Sequence, residues 1–198
     1  GPHKPVTPHP RFQGKTGLGP YGDFVMNVDD AVGQVLKALD EAKRADYTLV
    51  IFSSDNGSFM YRVNDENDHV KTPGKQQYHA KNHTANGPWR GTKADIWEGG
   101  HRVPFLVRWP GVVAGGTRSA APIVLTDIMA TVAGALGVEL AEGWAEDSVS
   151  LLPALKDGDR AAPLHELIVN HSSRGKFAVR SGNWKLCFCG GWGGWTAP

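Results

Sequence analysis

Two short segments of the chain carry side chains able to handle an anion. Ser53-Ser54-Asp55-Asn56-Gly57 closes an apolar run, and its adjacent carboxylate and amide oxygens, on Asp55 and Asn56, can both reach a hard cation that prefers oxygen ligands. Gly57 lets the backbone turn away at once. Calcium or magnesium suits such donors, although Asp-Asn-Gly after a strand is also an ordinary turn, and the segment alone leaves both readings open. The second segment is Gly91-Thr92-Lys93-Ala94-Asp95-Ile96-Trp97-Glu98-Gly99-Gly100-His101-Arg102-Val103-Pro104. Here Lys93 precedes paired glycines that permit close backbone packing. A lone lysine is usually a solvated surface charge, whereas one beside a cation site can hold an anionic oxygen as a point charge.

These residues need a scaffold, and the flanking pattern predicts an α/β one with a mostly parallel sheet. From Asp23 to about Lys43 the apolar residues Val25, Val28, Val32, Val35, Leu36 and Leu39 recur at three and four, which predicts an amphipathic helix packed on a sheet. Tyr47-Thr48-Leu49-Val50-Ile51-Phe52 is an unbroken apolar and β-branched run, predicting a central strand buried on both faces and parallel to its neighbours. Asp55 and Asn56 then fall at its carboxyl end, where open α/β sheets bind ligands. Val103 to Trp109 reads as a further strand, closed by Pro110-Gly111. Thr126 to Leu136 reads as a helix with Thr126 or Asp127 as N-cap and Gly137 as its stop. Leu167-Ile168-Val169 reads as a strand, and Lys176 to Arg180 with Trp184 to Phe188 as a hairpin around Ser181-Gly182-Asn183. The hairpin opens a small antiparallel sheet. The expected division is therefore 1–163 for the later part of an α/β domain, and 164–198 for its last strand and the start of the small sheet.

Residues 1–22 are rich in Pro and Gly and read as an arm, and 58–90 as a long polar loop of the functional or disordered kind. His69, His79 and His83 in that loop lack the spacing that would converge them on zinc. Over 198 residues the chain is 40% hydrophobic and 21% charged, the make-up of one ordinary globular domain. Lys+Arg 21 against Asp+Glu 20 leaves net charge +1, which argues against nucleic acid or an anionic membrane surface and for a small-molecule or carbohydrate partner. No apolar stretch reaches bilayer length, so the expectation is a soluble protein. Cys187 and Cys189 would share one face of a strand, where a bridge so close in sequence is strained. They read as buried free thiols, with pairing elsewhere or a metal site as alternatives.

Ser54-Asp55-Asn56-Gly57, Gly91-x-Lys93, Glu98-Gly99-Gly100-x-Arg102-Val103-Pro104 and the strand ending Trp109-Pro110-Gly111 together resemble the sulfatase family of the alkaline-phosphatase-like superfamily. The opening Pro2-His3-x-Pro5 resembles a further motif of that family. The resemblance implies a partial alkaline-phosphatase-like sandwich, with Asp55 and Asn56 as two calcium ligands. It also implies that Lys93 contacts the sulfate ester and His3 lies near its bridging oxygen, both serving substrate binding and catalysis. Glu98 and Arg102 match the motif and read as structural, positioning the loop that presents Lys93.

In the family a formylglycine, made from a Cys or Ser in Cys/Ser-x-Pro-Ser-Arg, attacks sulfur while cation and lysine offset the developing charge. No such segment occurs in this sequence. The paired acidic residues that the family keeps near its N-terminus are missing too, and Asp29-Asp30 sits on the surface of the predicted helix. The resemblance thus implies a fragment of a sulfatase that is inactive alone, with formylglycine in a missing N-terminal part. Further implications are a sulfated small molecule or glycan as partner, a periplasmic or secreted full-length protein, and self-association through surface exposed by truncation. Two other readings remain: part of a related phosphodiesterase or phosphonate hydrolase, and a non-catalytic protein binding a sulfated glycan or calcium.

Overall fold

A 23-residue helix, α1 (Gly19–Glu41), begins one turn before the apolar periodicity does. The structure is a computed structural model and describes residues 2–3, 6–58, 83, 85–158 and 163–196. Gly19-Pro20-Tyr21-Gly22 has the composition of a loop, yet Pro20 sits in the first turn, where its fixed φ suits a helix start. Buried Asp23 secures that turn by accepting Gly14 N–H at 2.7 Å, Thr16 N–H at 3.0 Å and Thr16 Oγ1 at 2.8 Å. Burial pulls its pKa up, but these donors win and hold the carboxyl below its ordinary value. Tyr21 packs with Val6, Phe24 and Ala85 and donates its hydroxyl to Ser58 Oγ at 2.9 Å. Beyond this turn the helix buries nothing fully, and Val25 and Val35 are 45% and 57% exposed.

A short 3-10 turn, Ala45–Tyr47, takes up the beginning of the expected strand, so β1 runs over Val50–Ser53. Its one described neighbour is β2 (Phe105–Arg108), paired antiparallel from Val50 opposite Arg108 to Ser53 opposite Phe105. The central, parallel placement expected for this strand is therefore not seen among the described residues, where β1 is half-buried in a two-stranded ribbon. An apolar run reports burial on two faces; it carries no information on the direction of the strand beside it. That direction follows from the path of the chain between residues 53 and 105. An ion pair from Arg108 to Asp40 at 3.0 Å ties β2 to the end of α1.

A single helical turn, α2 (Glu98–His101), leads into β2. Helix α3 (Asp127–Leu136) ends at Gly137 with φ 67°, the left-handed stop that the sequence predicts. At its start Thr126 caps nothing with its side chain. The fully buried Asp127 instead accepts Val124 N–H at 2.9 Å and Val149 N–H at 3.0 Å, and pairs with His165 Nε2 at 2.8 Å. A further short helix, α4 (Leu152–Asp157), follows and is joined to α3 by Leu151 N–H donating to Thr131 Oγ1 at 2.8 Å. The strands β3 (Ile168–His171), β4 (Phe177–Ser181) and β5 (Trp184–Cys187) form one antiparallel sheet in that order. One of its faces buries Ile168 and Ala178. Cys187 and Cys189 are free and half-buried. Among the described residues no helix is long and apolar enough to cross a membrane.

Candidate functional site

Three glycines bring the two chemical segments together. Gly57, just past β1, donates its N–H to Gly100 O at 3.0 Å, and a Cβ there would lie 1.7 Å from Gly99 O. A Cβ on Gly99 would lie 2.0 Å from Gly91 O, and one on Gly100 would lie 2.3 Å from Asp95 O. No side chain fits any of these positions, so the end of β1 and the loop around Lys93 lie main chain against main chain. Lys93 N–H donates to Ser58 O at 2.8 Å. Buried Asn86 bridges the same segments, accepting Ser58 N–H at 2.8 Å and donating to Ser58 O at 3.0 Å and Gly91 O at 3.2 Å. Its lack of any periodic neighbour hid Asn86 in the sequence, where it is one polar residue in a polar stretch.

The Lys93 loop is then fixed from its other side. Ala94 adopts φ 80°, a left-handed conformation that costs a non-glycine residue about 1 kcal/mol, and its carbonyl accepts Ser173 N–H at 3.0 Å. Asp95 is fully buried; it accepts Thr92 N–H at 3.0 Å, Thr196 N–H at 3.1 Å and the Thr196 hydroxyl. Glu98 pairs with Arg180 at 2.8 Å and Lys185 at 3.0 Å. Burial opposes ionisation of Glu98, but the two cations outweigh it and hold the carboxyl below its ordinary value. The His101 ring contacts Ile96 O at 3.1 Å, and burial, reinforced by Lys185, pushes its pKa down. Arg90 is sandwiched between Trp97 and Trp192, with its guanidinium carbon 4.0 and 4.6 Å from the ring centroids, while Arg102 lies 3.9 Å over Trp89. Both motif charges, Glu98 and Arg102, are thus occupied by the scaffold.

Asp55, Asn56 and Lys93 line one open cavity of about 1350 Å³. His3 does not line it; the residue lies exposed in the N-terminal arm. Asp55 is exposed, with Ser54 Oγ 3.4 Å from its Oδ1. Asn56 spends its Nδ2 on Gly57 O at 2.9 Å, which leaves its Oδ1 as an acceptor. Two hard oxygen donors fit the chemistry of calcium or magnesium but supply a minority of the 6–8 ligands calcium takes. No group of three or more His, Cys, Asp or Glu able to hold a metal occurs among the described residues. Among those residues Lys93 makes no ion pair, and its ammonium lies 5.9 Å from the ring centroid of Trp195.

His165 and His171 also line the cavity, the first held by Asp127 and the second by Ser172 O at 3.0 Å. His83 is exposed, and His69 and His79 lie outside the described residues, as do Lys71, Lys75 and Lys81. The cysteines are not part of the lining, and burial raises the Cys187 thiol pKa, the opposite of what a thiolate nucleophile needs. Taken together, the cavity places Lys93 in one lining with the oxygen donors of Asp55 and Asn56, and Arg118, Glu146 and Asp147 line it as well.

Comparison with known proteins bears on this geometry. The family described as Sulfatase matches residues 1–138. An N-acetylgalactosamine-6-O-sulfatase of Bacteroides thetaiotaomicron is 35% identical over 183 residues, covering 92% of this chain and 34% of that protein. Steryl-sulfatase of Mus musculus is 39% identical over 183 residues, covering 90% of this chain and 27% of its own length. A solved sulfatase structure connected with glycosaminoglycan metabolism in Bacteroides thetaiotaomicron superposes with a TM-score of 0.77 at 34% identity, covering 93% of this chain and 36% of that one. The chain spans about a third or less of the length of the curated relatives it matches.

Proposed function

Because the chain belongs to the sulfatase family, we propose that it is the sulfate-gripping part of an enzyme that hydrolyses sulfate esters with calcium and a formylglycine nucleophile. One observation carries the reading: the interlocked glycines at 57, 99 and 100 set Asp55, Asn56 and Lys93 into a single cavity. In this assignment Lys93 holds a sulfate oxygen as a point charge, at a position it keeps through the main-chain bond to Ser58 and the buried Asp95. Asp55 and Asn56 would hold the calcium, which when bound polarises the sulfate. His3 lies outside the cavity lining, so the grip is assigned to Lys93 and not to His3.

No Cys-x-Pro-Ser-Arg or Ser-x-Pro-Ser-Arg segment is present, and without an activated nucleophile the covalent route is closed. The chain by itself is therefore a fragment in chemical terms: it binds and does not turn over. Names of relatives that act on sulfated N-acetylgalactosamine and on steryl sulfates support a sulfated glycan or small molecule as the partner. The test is calorimetric titration of the purified chain with inorganic sulfate in the presence of calcium, alongside an aryl sulfate turnover assay. Lys93→Ala is expected to weaken sulfate binding about 10-fold, the scale of a charge-assisted hydrogen bond, and neither form is expected to turn over. Equal sulfate affinity in the two forms would remove Lys93 from the site; turnover by the chain that Lys93→Ala abolishes would overturn the inactive-fragment reading. Calcium should bind weakly, and a sub-micromolar dissociation constant would show that more ligands are present than Asp55 and Asn56.

A further inference from the structure

The sequence closes in Gly190-Gly191-Trp192-Gly193-Gly194-Trp195-Thr196, a segment that no step above uses chemically. Its backbone is bound on both sides of Trp195. Trp192 O accepts Ile96 N–H at 3.0 Å, Gly191 O accepts Trp97 Nε1 at 2.9 Å, and Gly193 O accepts Ser172 Oγ at 2.6 Å. At Gly194 a Cβ would meet Ala94 O at 2.2 Å, so the segment lies directly on the Lys93 loop. Thr196 completes the attachment through Asp95. Trp192 has a partner in Arg90, as described. Trp195 has the Lys93 ammonium over its ring in the same way, but the residue stays 52% exposed and lines the same cavity as Asp55, Asn56 and Lys93.

The indole is held by a fixed backbone, with the Lys93 ammonium over its ring and about half of the residue's surface in water. Rings stack on an aromatic face at centroid separations of about 4.5–7 Å, and the Lys93 ammonium stands 5.9 Å from the Trp195 centroid. A six-membered ring laid on the indole beside that ammonium would carry its sulfate within reach of it. We propose that Trp195 is the stacking platform for the ring that bears the sulfate, whether that ring is a sulfated pyranose or an aryl group. The inference rests on the assignment of Lys93 as the sulfate grip and adds the alcohol side of the ester to the same site. It makes Trp195 a specificity residue, because inorganic sulfate has nothing to lay on the indole.

The test is equilibrium titration of the full chain, in calcium, with inorganic sulfate, galactose 6-sulfate and 4-nitrophenyl sulfate. Trp195→Ala is expected to weaken at least one ring-borne ligand about 10-fold, equivalent to about 1.4 kcal/mol, and to leave inorganic sulfate unchanged. Trp195→Phe should recover most of the loss, which excludes collapse of the loop as its cause. Loss for the sugar alone, the aryl ester alone or both names the source of the ring, and each supports the platform. Unchanged affinity for both ring ligands overturns it, as does an equal loss that includes inorganic sulfate, which would mean that Trp195 acts only through Lys93. Lys93→Ala separates the two readings: if it weakens none of the three ligands while Trp195→Ala still weakens a ring-borne one, the grip fails and the platform stands. A wild-type chain that binds none of the three overturns both.

Discussion

Lys93 owes its place to residues that never touch a ligand. Asp95 and Asn86, both buried, bind the backbone of Thr92 and Gly91 just before it, and Ala94 just after it adopts a left-handed conformation held within this network. The nearby titrating groups make the arrangement sensitive to acid. His101 has its folded pKa below its ordinary value of 6.5, so the unfolded chain takes up the proton first and stability falls as pH drops through that range. Glu98 is also depressed, from 4.5, so its contribution is present above that value and is lost as pH falls through the folded one. The thermal midpoint should therefore decline in two stages on acidification from neutral pH. His101→Gln, which cannot titrate, should flatten the first stage and leave the second. A variant that follows the wild-type curve throughout would show that the His101 environment does not govern it.

At the scale of elements, the decisive contact is a backbone crossing rather than a packed side chain. The turn after β1 and the start of α2 meet so closely that alanine at Gly57 would place its Cβ 1.7 Å from a carbonyl oxygen. Backbone cannot retreat as a side-chain tip can. Gly57→Ala should lower the unfolding free energy by about 3 kcal/mol or more, at the upper end of overpacking costs. Gly115 is the internal control, since nothing lies within 4 Å of its Cβ position and its φ is not positive. Gly115→Ala should change stability by no more than about 0.5 kcal/mol. Denaturant titration of both variants decides the matter, and equal stability of the two would mean that the crossing is looser than its geometry.

The molecule as a whole leaves much apolar surface in water. On the sheet of β3, β4 and β5 the cross-strand row Val169, Val179 and Leu186 lies on the face opposite Ile168 and Ala178, with Val169 and Leu186 60% and 62% exposed. Apolar rows of this kind on a short sheet are covered by a second surface in stable proteins. For the chain on its own the expected cover is a second copy, so self-association is the predicted outcome. Sedimentation across a dilution series should show a mass that falls toward monomer, and Leu186→Glu should be monomeric throughout. A wild-type chain that stays monomeric at every concentration would rule the association out.

Residue types and spacing alone were enough for the helix stop at Gly137 and for the hairpin around Gly182, because each depends on contacts within a few residues, while the sulfatase motifs were legible through their resemblance to that family. That no Cys-x-Pro-Ser-Arg or Ser-x-Pro-Ser-Arg segment occurs in these residues is likewise read directly from the sequence. Strand direction was not legible: the run at 47–52 reports burial, while its antiparallel pairing with β2 depends on where a distant segment returns. Nor were Asn86, Asp95 and Trp195, whose partners lie up to 101 residues away, so that no local pattern marks them. His3, assigned from its motif, is not carried by its arm into the cavity lining. The local sequence determines which groups can do chemistry; which of them share a cavity is decided by backbone crossings such as Gly57 on Gly99, where excluded volume acts between residues that the chain itself keeps far apart.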